Sequence, residues 1–186
     1  MADFAAARLN MVESQVRTAD VTDVRLHDVM RELPRERFVP EGKGHLAYAD
    51  IEVEYAPGRW LLKPRDVAKL VQAVRPMPGE RALAISAPYA AALIEGLGVE
   101  VVQIDAADAP GGEFDLVIAE GAVARAPEAW LRALAVGGRL GVVERAGMVG
   151  KGCVYVRAPD GIGRRELFDS FCPVLAGFEP HHGFAF

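Results

Sequence analysis

The chain has 186 residues, about half of them hydrophobic and a quarter charged, which is enough for one domain with a sizeable core. Its net charge of −5 argues against a non-specific nucleic-acid binder, which would carry a basic face. No apolar run approaches the ~20 residues of a membrane span, and the N-terminus lacks the basic and apolar regions of a signal peptide. We therefore expect one cytoplasmic domain, residues 1–186, with neither nucleic acid nor a membrane as its partner.

The first 78 residues are predicted to form a mainly helical extension. Apolar side chains at helical spacing predict helices over Ala5–Arg17 and Pro64–Arg75. Thr22 is predicted to cap a further helix between them. The second half of His45–Tyr55 alternates between polar and apolar residues, which indicates an extended segment, and Ala56-Pro57-Gly58 then makes a turn.

Residues 79–186 alternate between short apolar runs and helical segments, a pattern typical of an α/β fold with a mostly parallel sheet. Helices are predicted over Tyr89–Leu97 and Pro127–Ala135, with Gly137-Gly138 ending the second one as its C-terminal cap. Two runs joined by a turn predict an antiparallel hairpin at the sheet edge, Lys151–Arg157 and Arg165–Cys172. The parallel strands are predicted at Arg81–Ile85, Glu100–Ile104, Asp115–Ala119 and Arg139–Val143.

The segment Asp105–Phe114 connects two of these strands and contains no helical pattern. Ten extended residues span at most ~33 Å, and returning along a strand while stepping past one intervening strand needs about 20 Å. We therefore expect a bare loop here, a sheet of reduced size and one thin layer in the fold.

The chain has two cysteines, Cys153 and Cys172, which lack the spacing of metal ligands. Both are predicted to lie in strands as reduced, buried thiols, and a disulfide is the alternative if those strands pair. The adjacent His181-His182 would point to opposite sides of an extended segment. No metal site is predicted.

The strand Arg81–Ile85 and the turn after it are the first candidates for a ligand site. Ser86 or Ala87 ends this strand, and open α/β sheets bind ligands just past the carboxyl ends of such strands. Asp105 ends the next strand, where a carboxylate can accept hydrogen bonds from ribose hydroxyls; its alternative role is that of a turn residue. Glu120 ends the third strand and either faces a substrate or lies on a solvent-exposed rim.

Several segments, in order along nearly the whole chain, resemble the protein-L-isoaspartate O-methyltransferase family. They are Met11–Arg17, Val21–Asp23, Pro34–Pro40, Leu46–Asp50, Gly79–Leu83, Phe114–Ile118, Gly137–Leu140 and Glu166–Phe168. The N-terminal segments are the more specific ones, because methyltransferases in general do not share them. The resemblance implies a Rossmann-like methyltransferase fold that binds S-adenosylmethionine. It also implies methyl transfer to isoaspartyl carboxylates in damaged proteins, so that the partner would be a protein or peptide substrate.

The same resemblance suggests roles for individual residues. Ser86 and Asp105 would bind the cofactor, while His45, Asp50 and Trp60 would lie on the substrate side. Packing roles are the alternative for these last three, and for Trp60 we favour a core position that covers the sheet edge. No catalytic side chain is predicted, because the cofactor itself carries the reactive methyl group.

Three segments depart from the family pattern. Ser86-Ala87-Pro88-Tyr89 stands where the family has a glycine-rich turn, which lets the backbone approach the cofactor. Ala106–Phe114 replaces a helix and a further strand that help to enclose the adenine. Arg59–Pro64 occupies the active-site loop, so that Trp60 and Leu62 replace its two hydroxyl residues.

Two main hypotheses of function therefore stay open at this point. In the first, the chain is a methyltransferase of this family that uses S-adenosylmethionine. In the second, it is a non-catalytic relative without a cofactor, which acts as a binding or interaction protein; a remodelled crevice for another small ligand is a third. We expect Tyr89 and the Asp105–Phe114 loop to narrow the crevice past Ile85.

Overall fold

The computed structural model describes residues 3–180, which form helices and two sheets. The α-helices of this part of the chain are α1 Phe4–Met11, α2 Val24–Glu32, α3 Pro64–Val74, α4 Pro88–Gly96 and α5 Glu128–Arg132. The strands are β1 Val53–Ala56, β2 Arg59–Leu61, β3 Arg81–Ile85, β4 Glu100–Ile104, β5 Phe114–Val123, β6 Leu134–Glu144, β7 Gly150–Ala158 and β8 Gly161–Ser170. Strands β1 and β2 form a separate antiparallel hairpin, and the other six form the large sheet.

The large sheet has the strand order β4-β3-β5-β6-β7-β8. Strands β4, β3, β5 and β6 run parallel, and β7 and β8 add an antiparallel hairpin at one edge. This topology confirms the predicted α/β class with its mostly parallel sheet and C-terminal hairpin. Strands β3 and β4 have their predicted bounds, while β5 and β6 are longer than the apolar runs that predicted them.

Strand β3 lies at the centre of the fold and is buried on both faces. Successive side chains of a strand point to opposite faces of its sheet. Leu83 and Ile85 pack into the core on the face that α5 covers, and Ala82 and Ala84 pack against the N-terminal helices on the other face. An apolar run without alternation is what such a strand requires.

A bare loop joins β4 to β5, as predicted. Residues 105–113 contain no helix, and β3 lies between the two strands that this loop connects. The core on the face of α5 is the smaller of the two hydrophobic cores. The missing crossover helix therefore leaves one layer thin, in agreement with the sequence.

The N-terminal helices pack on the opposite face of the sheet. Helix α1 continues into a π-helical turn at Val12–Val16, and both contribute buried side chains to the larger core. The prediction that Thr22 caps the next helix is wrong. Asp23 is the N-cap of α2, because its Oδ1 accepts a hydrogen bond from Arg25 N at 3.0 Å, whereas the Thr22 N–H donates to Gln72 Oε1 at 2.6 Å.

Two glycines predicted to end a helix lie inside β6 instead. Helix α5 ends at Arg132, and Leu134 already pairs with Phe114 of β5. Gly137 and Gly138 follow within an irregular part of that pairing, where a Cβ on Gly138 would lie 2.9 Å from the Phe114 carbonyl oxygen. The close approach of two backbones, rather than the end of a helix, requires glycine here.

Both cysteines are free and buried. Cys153 lies in β7, as predicted, and burial raises the pKa of its thiol to about 11. Cys172 follows β8 instead of lying within it. The alternative of a disulfide between them does not occur in this structure.

Candidate functional site

The structure brings Ser86 and Asp105 together at the carboxyl edge of the sheet. Strands β3 and β4 are parallel neighbours, so the residues that follow them meet at the same edge. The Ser86 Oγ lies 3.2 Å from Asp105 Oδ2, and it accepts a hydrogen bond from Ala106 N at 2.8 Å. The carboxylate of Asp105 also accepts a hydrogen bond from Ala107 N at 2.9 Å. These contacts fix the orientation of the carboxylate.

Ser86 adopts a left-handed backbone conformation, with a φ of 45°. Side-chain-bearing residues rarely adopt this region, and glycine is its usual occupant. The turn after β3 thus keeps a conformation that glycine would favour, although no glycine is present. Local hydrogen bonds of the Ser86 hydroxyl and its N–H, which donates to Ile104 O at 2.9 Å, hold the turn in place.

Arg59 forms a two-pronged ion pair with Asp105. Its Nη2 and Nε lie 2.6 and 2.7 Å from the two carboxylate oxygens of Asp105. The guanidinium is the main reason that the pKa of Asp105 lies far below its usual range. The Arg59 side chain is 14% exposed and that of Asp105 is 46% exposed, so the pair lies at the surface of the crevice.

The β1–β2 hairpin supplies the residues that cover this edge. Burial, reinforced by Glu120, raises the pKa of the Tyr55 hydroxyl to about 12, and the neighbouring Ser86 hydroxyl and Arg59 oppose that rise. We predicted that Tyr89 and the loop after β4 would narrow the crevice. Tyr89 is instead a fully buried core residue, with its ring centre 4.4 Å from the guanidinium carbon of Arg35. Narrowing of the crevice by the loop stays a prediction.

Glu120 is a residue of β5, and its fully buried carboxylate lies against the start of α4. It accepts hydrogen bonds from the backbone N–H groups of Leu62 at 3.3 Å and of Tyr89 and Ala90 at 3.2 Å. Pro88 has no N–H to donate, so Tyr89 and Ala90 carry the first free donors of the helix. Burial raises the pKa of Glu120 to about 7, while Arg35 and the three N–H groups oppose the rise.

The sequence did not reveal this role of Glu120. Neither a solvent-exposed rim nor a substrate-facing position describes a residue with no exposed surface whose oxygens contact the backbone of its own chain. The signal was present, because a carboxylate that directly follows the apolar run of β5 enters the interior with that strand. The pattern did not show the partner of this carboxylate, which is the start of α4, 30 residues earlier in the chain.

The three predicted substrate-side residues lie in different local structures. His45 is exposed in a short 3₁₀ turn, and Asp50 pairs with Arg65 at 3.3 Å. Trp60 lies half-buried in β2, opposite Glu54, which agrees in part with the predicted core position. No hydrogen bond or ion pair within residues 3–180 joins any of the three to Ser86 or Asp105. Their substrate-side role stays a prediction.

Two further features concern only the residues that the structure describes. No group of three or more potential metal ligands occurs among residues 3–180, and His181-His182 lie outside them. Within the same residues, every helix is too short or too polar to cross a bilayer.

Comparisons with known proteins give a consistent set of relatives. No model of a protein family matches the chain. It is 37% identical over 105 residues to protein-L-isoaspartate O-methyltransferase of Methylorubrum extorquens, a match that covers 55% of this chain and 46% of the relative. It is 30% identical over 168 residues to protein-L-isoaspartate O-methyltransferase 1 of Rhodopseudomonas palustris, covering 74% and 69%.

A third relative extends the match over most of both chains. The protein-L-isoaspartate O-methyltransferase of Methylorubrum populi is 31% identical over 165 residues, which covers 73% of this chain and 78% of the relative. The chain belongs to the protein-L-isoaspartate O-methyltransferase family. The resemblance read from the sequence is thereby confirmed.

Solved structures support the fold of this family member. A protein-L-isoaspartate O-methyltransferase matches 88% of the chain, and 64% of its own length, with a TM-score of 0.68 at 17% identity. A Plasmodium falciparum protein, described as a putative protein-L-isoaspartate O-methyltransferase in complex with S-adenosyl-L-homocysteine, matches 94% of the chain and 99% of its own length, with a TM-score of 0.69 at 15% identity. The predicted Rossmann-like methyltransferase fold is confirmed.

Proposed function

We propose that the chain binds S-adenosylmethionine at the carboxyl edge of β3 and β4 and methylates isoaspartyl carboxylates in proteins. The observation that carries this proposal is the oriented pair of Ser86 and Asp105 at that edge. A carboxylate at the end of the second strand is where Rossmann-like folds bind ribose hydroxyls. The names of the relatives that share most of the chain support the same reaction.

The residues at this edge fit the nucleoside part of the cofactor. Asp105 would accept hydrogen bonds from the ribose hydroxyls, while Ser86 and the Ala107 N–H hold its carboxylate in place. When bound, S-adenosylmethionine supplies a methyl group on a positively charged sulfur. The protein's contribution is therefore to bind, to orient and to exclude water, and no covalent nucleophile is needed.

Arg59 has to leave Asp105 before a ribose can bind there. The pair is partly exposed, and exposed ion pairs contribute about 1 kcal/mol or less to stability. Arginine is a long side chain that can rotate into solvent without moving the backbone. We infer that the ligand competes with Arg59 and that this competition lowers its affinity by a modest factor.

The protein substrate would approach over the segment that carries the β1–β2 hairpin. His45 and Asp50 precede this hairpin, and Trp60 lies in its second strand. Arg59 of the same strand reaches the cofactor edge through its ion pair with Asp105. One carboxylate oxygen of Asp50 is buried and accepts no hydrogen bond from the part of the chain that the structure describes. These three residues remain our proposed substrate side, with a protein or peptide as partner.

A non-catalytic binding protein is the second candidate, and two contacts favour it. Arg59 occupies both oxygens of the carboxylate that would bind ribose. Glu120 occupies the first free N–H groups of α4, and a helix start of this kind otherwise attracts an anionic group of a ligand. In this view the protein's own side chains fill the positions that a cofactor would use.

Calorimetric titration with S-adenosylmethionine and with S-adenosylhomocysteine separates the two candidates. The titration uses the native chain, Arg59→Ala and the control Arg132→Ala, which breaks an exposed ion pair with Glu128 on α5. Methyl transfer predicts micromolar binding to the native chain, several-fold tighter binding to Arg59→Ala and no change for the control. Transfer of labelled methyl groups to an isoaspartyl peptide then measures the reaction itself.

Two results would reject methyl transfer. One is the absence of binding to either the native chain or Arg59→Ala at millimolar ligand, since a methyltransferase must hold its donor. The other is binding to Arg59→Ala alone, which would show that Arg59 closes the crevice of the native protein. Both results would support the non-catalytic candidate.

A further inference from the structure

A groove runs between helix α3 and the β7–β8 hairpin, away from the candidate cofactor site. It consists of two adjoining cavities of about 480 and 710 Å³, both lined by Ala73, Arg75 and Arg165. We call it the α3–β8 groove. Arg75 follows the end of α3 and precedes the loop that enters the amino end of β3, so the groove lies at the opposite end of the sheet from Ser86 and Asp105.

On the rim of this groove, three cations and one carboxylate, that of Asp20, have no ion-pair partner within residues 3–180. Lys69, Arg75 and Arg165 form no ion pair with any residue between 3 and 180. By contrast, Arg139 and Arg164, which also line the groove, are paired with Glu80 and Glu144 at 2.8 Å. The free cations are notable because the whole chain carries a net charge of −5.

The floor of the larger cavity is apolar and partly open. Val154 and Val156 of β7 form part of it, and Val156 is 43% exposed. Met77 adds a further exposed apolar side chain at 52%. The Lys69 ammonium lies 5.3 Å from the ring centre of Phe168, a cation–π contact that holds this rim residue over the hairpin.

We propose that the α3–β8 groove binds an extended acidic peptide segment of a partner protein, in which carboxylates alternate with apolar residues. Successive side chains of an extended segment point to opposite sides. Apolar side chains would lie on Val154 and Val156, while carboxylates would reach Arg75 and Arg165 on the rim. Arginine binds carboxylates with paired hydrogen bonds, which suits this arrangement.

Other anions fit the groove less well. A nucleic-acid backbone would reach the same cations, but the aliphatic floor formed by Val154 and Val156 offers its bases no surface for stacking. Free phosphate would leave that floor uncovered. Charge complementarity together with an apolar floor therefore favours a peptide, and this inference holds whether or not the protein transfers methyl groups.

Fluorescence anisotropy with labelled octapeptides tests the proposal. The probe alternates glutamate and valine, and comparison peptides replace either all glutamates with lysine or all valines with serine. The variant is the double substitution Arg75→Gln and Arg165→Gln. Its matched control is Lys43→Gln with Arg132→Gln, which removes two exposed cations elsewhere and gives the same net charge.

We expect the groove variant to weaken binding of the glutamate–valine probe at least fivefold, while the control changes it less than twofold. The lysine and serine peptides should bind at least fivefold more weakly than the probe. Equal binding by groove variant and control, or equal binding of the serine peptide, would overturn the proposal. Equally tight, variant-sensitive binding of a DNA oligonucleotide, or displacement of the probe by millimolar phosphate, would also overturn it. Thermal melting verifies that each variant is folded.

Discussion

Glu120 is the residue whose replacement best tests the physical account of the site. Its carboxylate is fully buried and accepts hydrogen bonds from three backbone N–H groups, two of them at the start of α4. Glu120→Gln keeps the shape of the side chain and one acceptor oxygen but cannot ionise. The variant therefore isolates the contribution of the charge from the contribution of packing.

The sign and size of the effect follow from the raised pKa. Burial shifts the pKa of Glu120 from an ordinary 4.5 to about 7, so the folded protein binds this proton more tightly than the unfolded chain does. The contribution of Glu120 to the free energy of unfolding is then highest below about pH 4.5, falls as the pH rises towards 7 and stays level above that. At about 1.4 kcal/mol per pKa unit, the decline amounts to about 3 kcal/mol.

Urea unfolding of the native chain and Glu120→Gln at several pH values between 4.5 and 8.5 measures this decline. The difference between the two proteins should change by about 3 kcal/mol in favour of the variant over that interval. Glu95→Gln, at the exposed end of the same helix, is the control and should follow the native chain. A pH-independent difference between native chain and Glu120→Gln would refute the reasoning, because it would mean that Arg35 and the helix N–H groups keep Glu120 ionised throughout.

Two further substitutions test other contacts in the interior. Tyr89→Phe removes a buried hydroxyl that has no hydrogen-bond partner within residues 3–180, so we expect the free energy of unfolding to stay level or to rise by up to about 1 kcal/mol. A loss of more than 1 kcal/mol in urea unfolding would contradict this. Gly121→Ala is expected to lower the free energy of unfolding by about 2 kcal/mol or more. Gly121 has a φ of 110°, and a Cβ there would lie 2.5 Å from Leu175 Cδ2. Gly163→Ala, where a Cβ meets open space, is its control and should unfold like the native chain.

Local patterns in the sequence were sufficient to predict the central part of the fold. The bounds of β3 and β4 follow from short apolar runs that end at Ser86 and Asp105. The bare connection after β4 followed from chain length alone, since ten residues reach past one strand without a helix. Where tertiary pairing competes with a local signal, the prediction was wrong. Leu134 joins the sheet opposite Phe114 and so ends α5 before the two glycines that were expected to cap it.

Side-chain partners that lie far apart in the sequence could not be predicted in this way. Arg59 and Asp105 are 46 residues apart in the sequence. Glu120 is 30 and 31 residues from the two N–H groups of α4 that donate hydrogen bonds to it. Periodicity shows which face of a strand or helix a residue occupies, but it gives no information about which residue of another element lies opposite. Ser86 and Asp105 were predicted together only because parallel neighbouring strands end at the same edge.

The loss of glycine from the turn after β3 has a smaller effect on the backbone than the sequence suggested. Ser86 takes up the left-handed conformation, so the chain still turns sharply from β3 into α4. The larger changes at the site come from side chains outside the turn. Arg59 donates hydrogen bonds to the oxygens of Asp105, and Glu120 accepts hydrogen bonds from the N–H groups at the start of α4. Whether this family member binds a cofactor therefore depends on how readily those two contacts open. Arg59 pairs with a carboxylate that is 46% exposed, so a ligand can reach that pair, whereas Glu120 is fully buried and must stay where it is. A ligand that binds here consequently has to rely on Asp105 and not on the start of the helix.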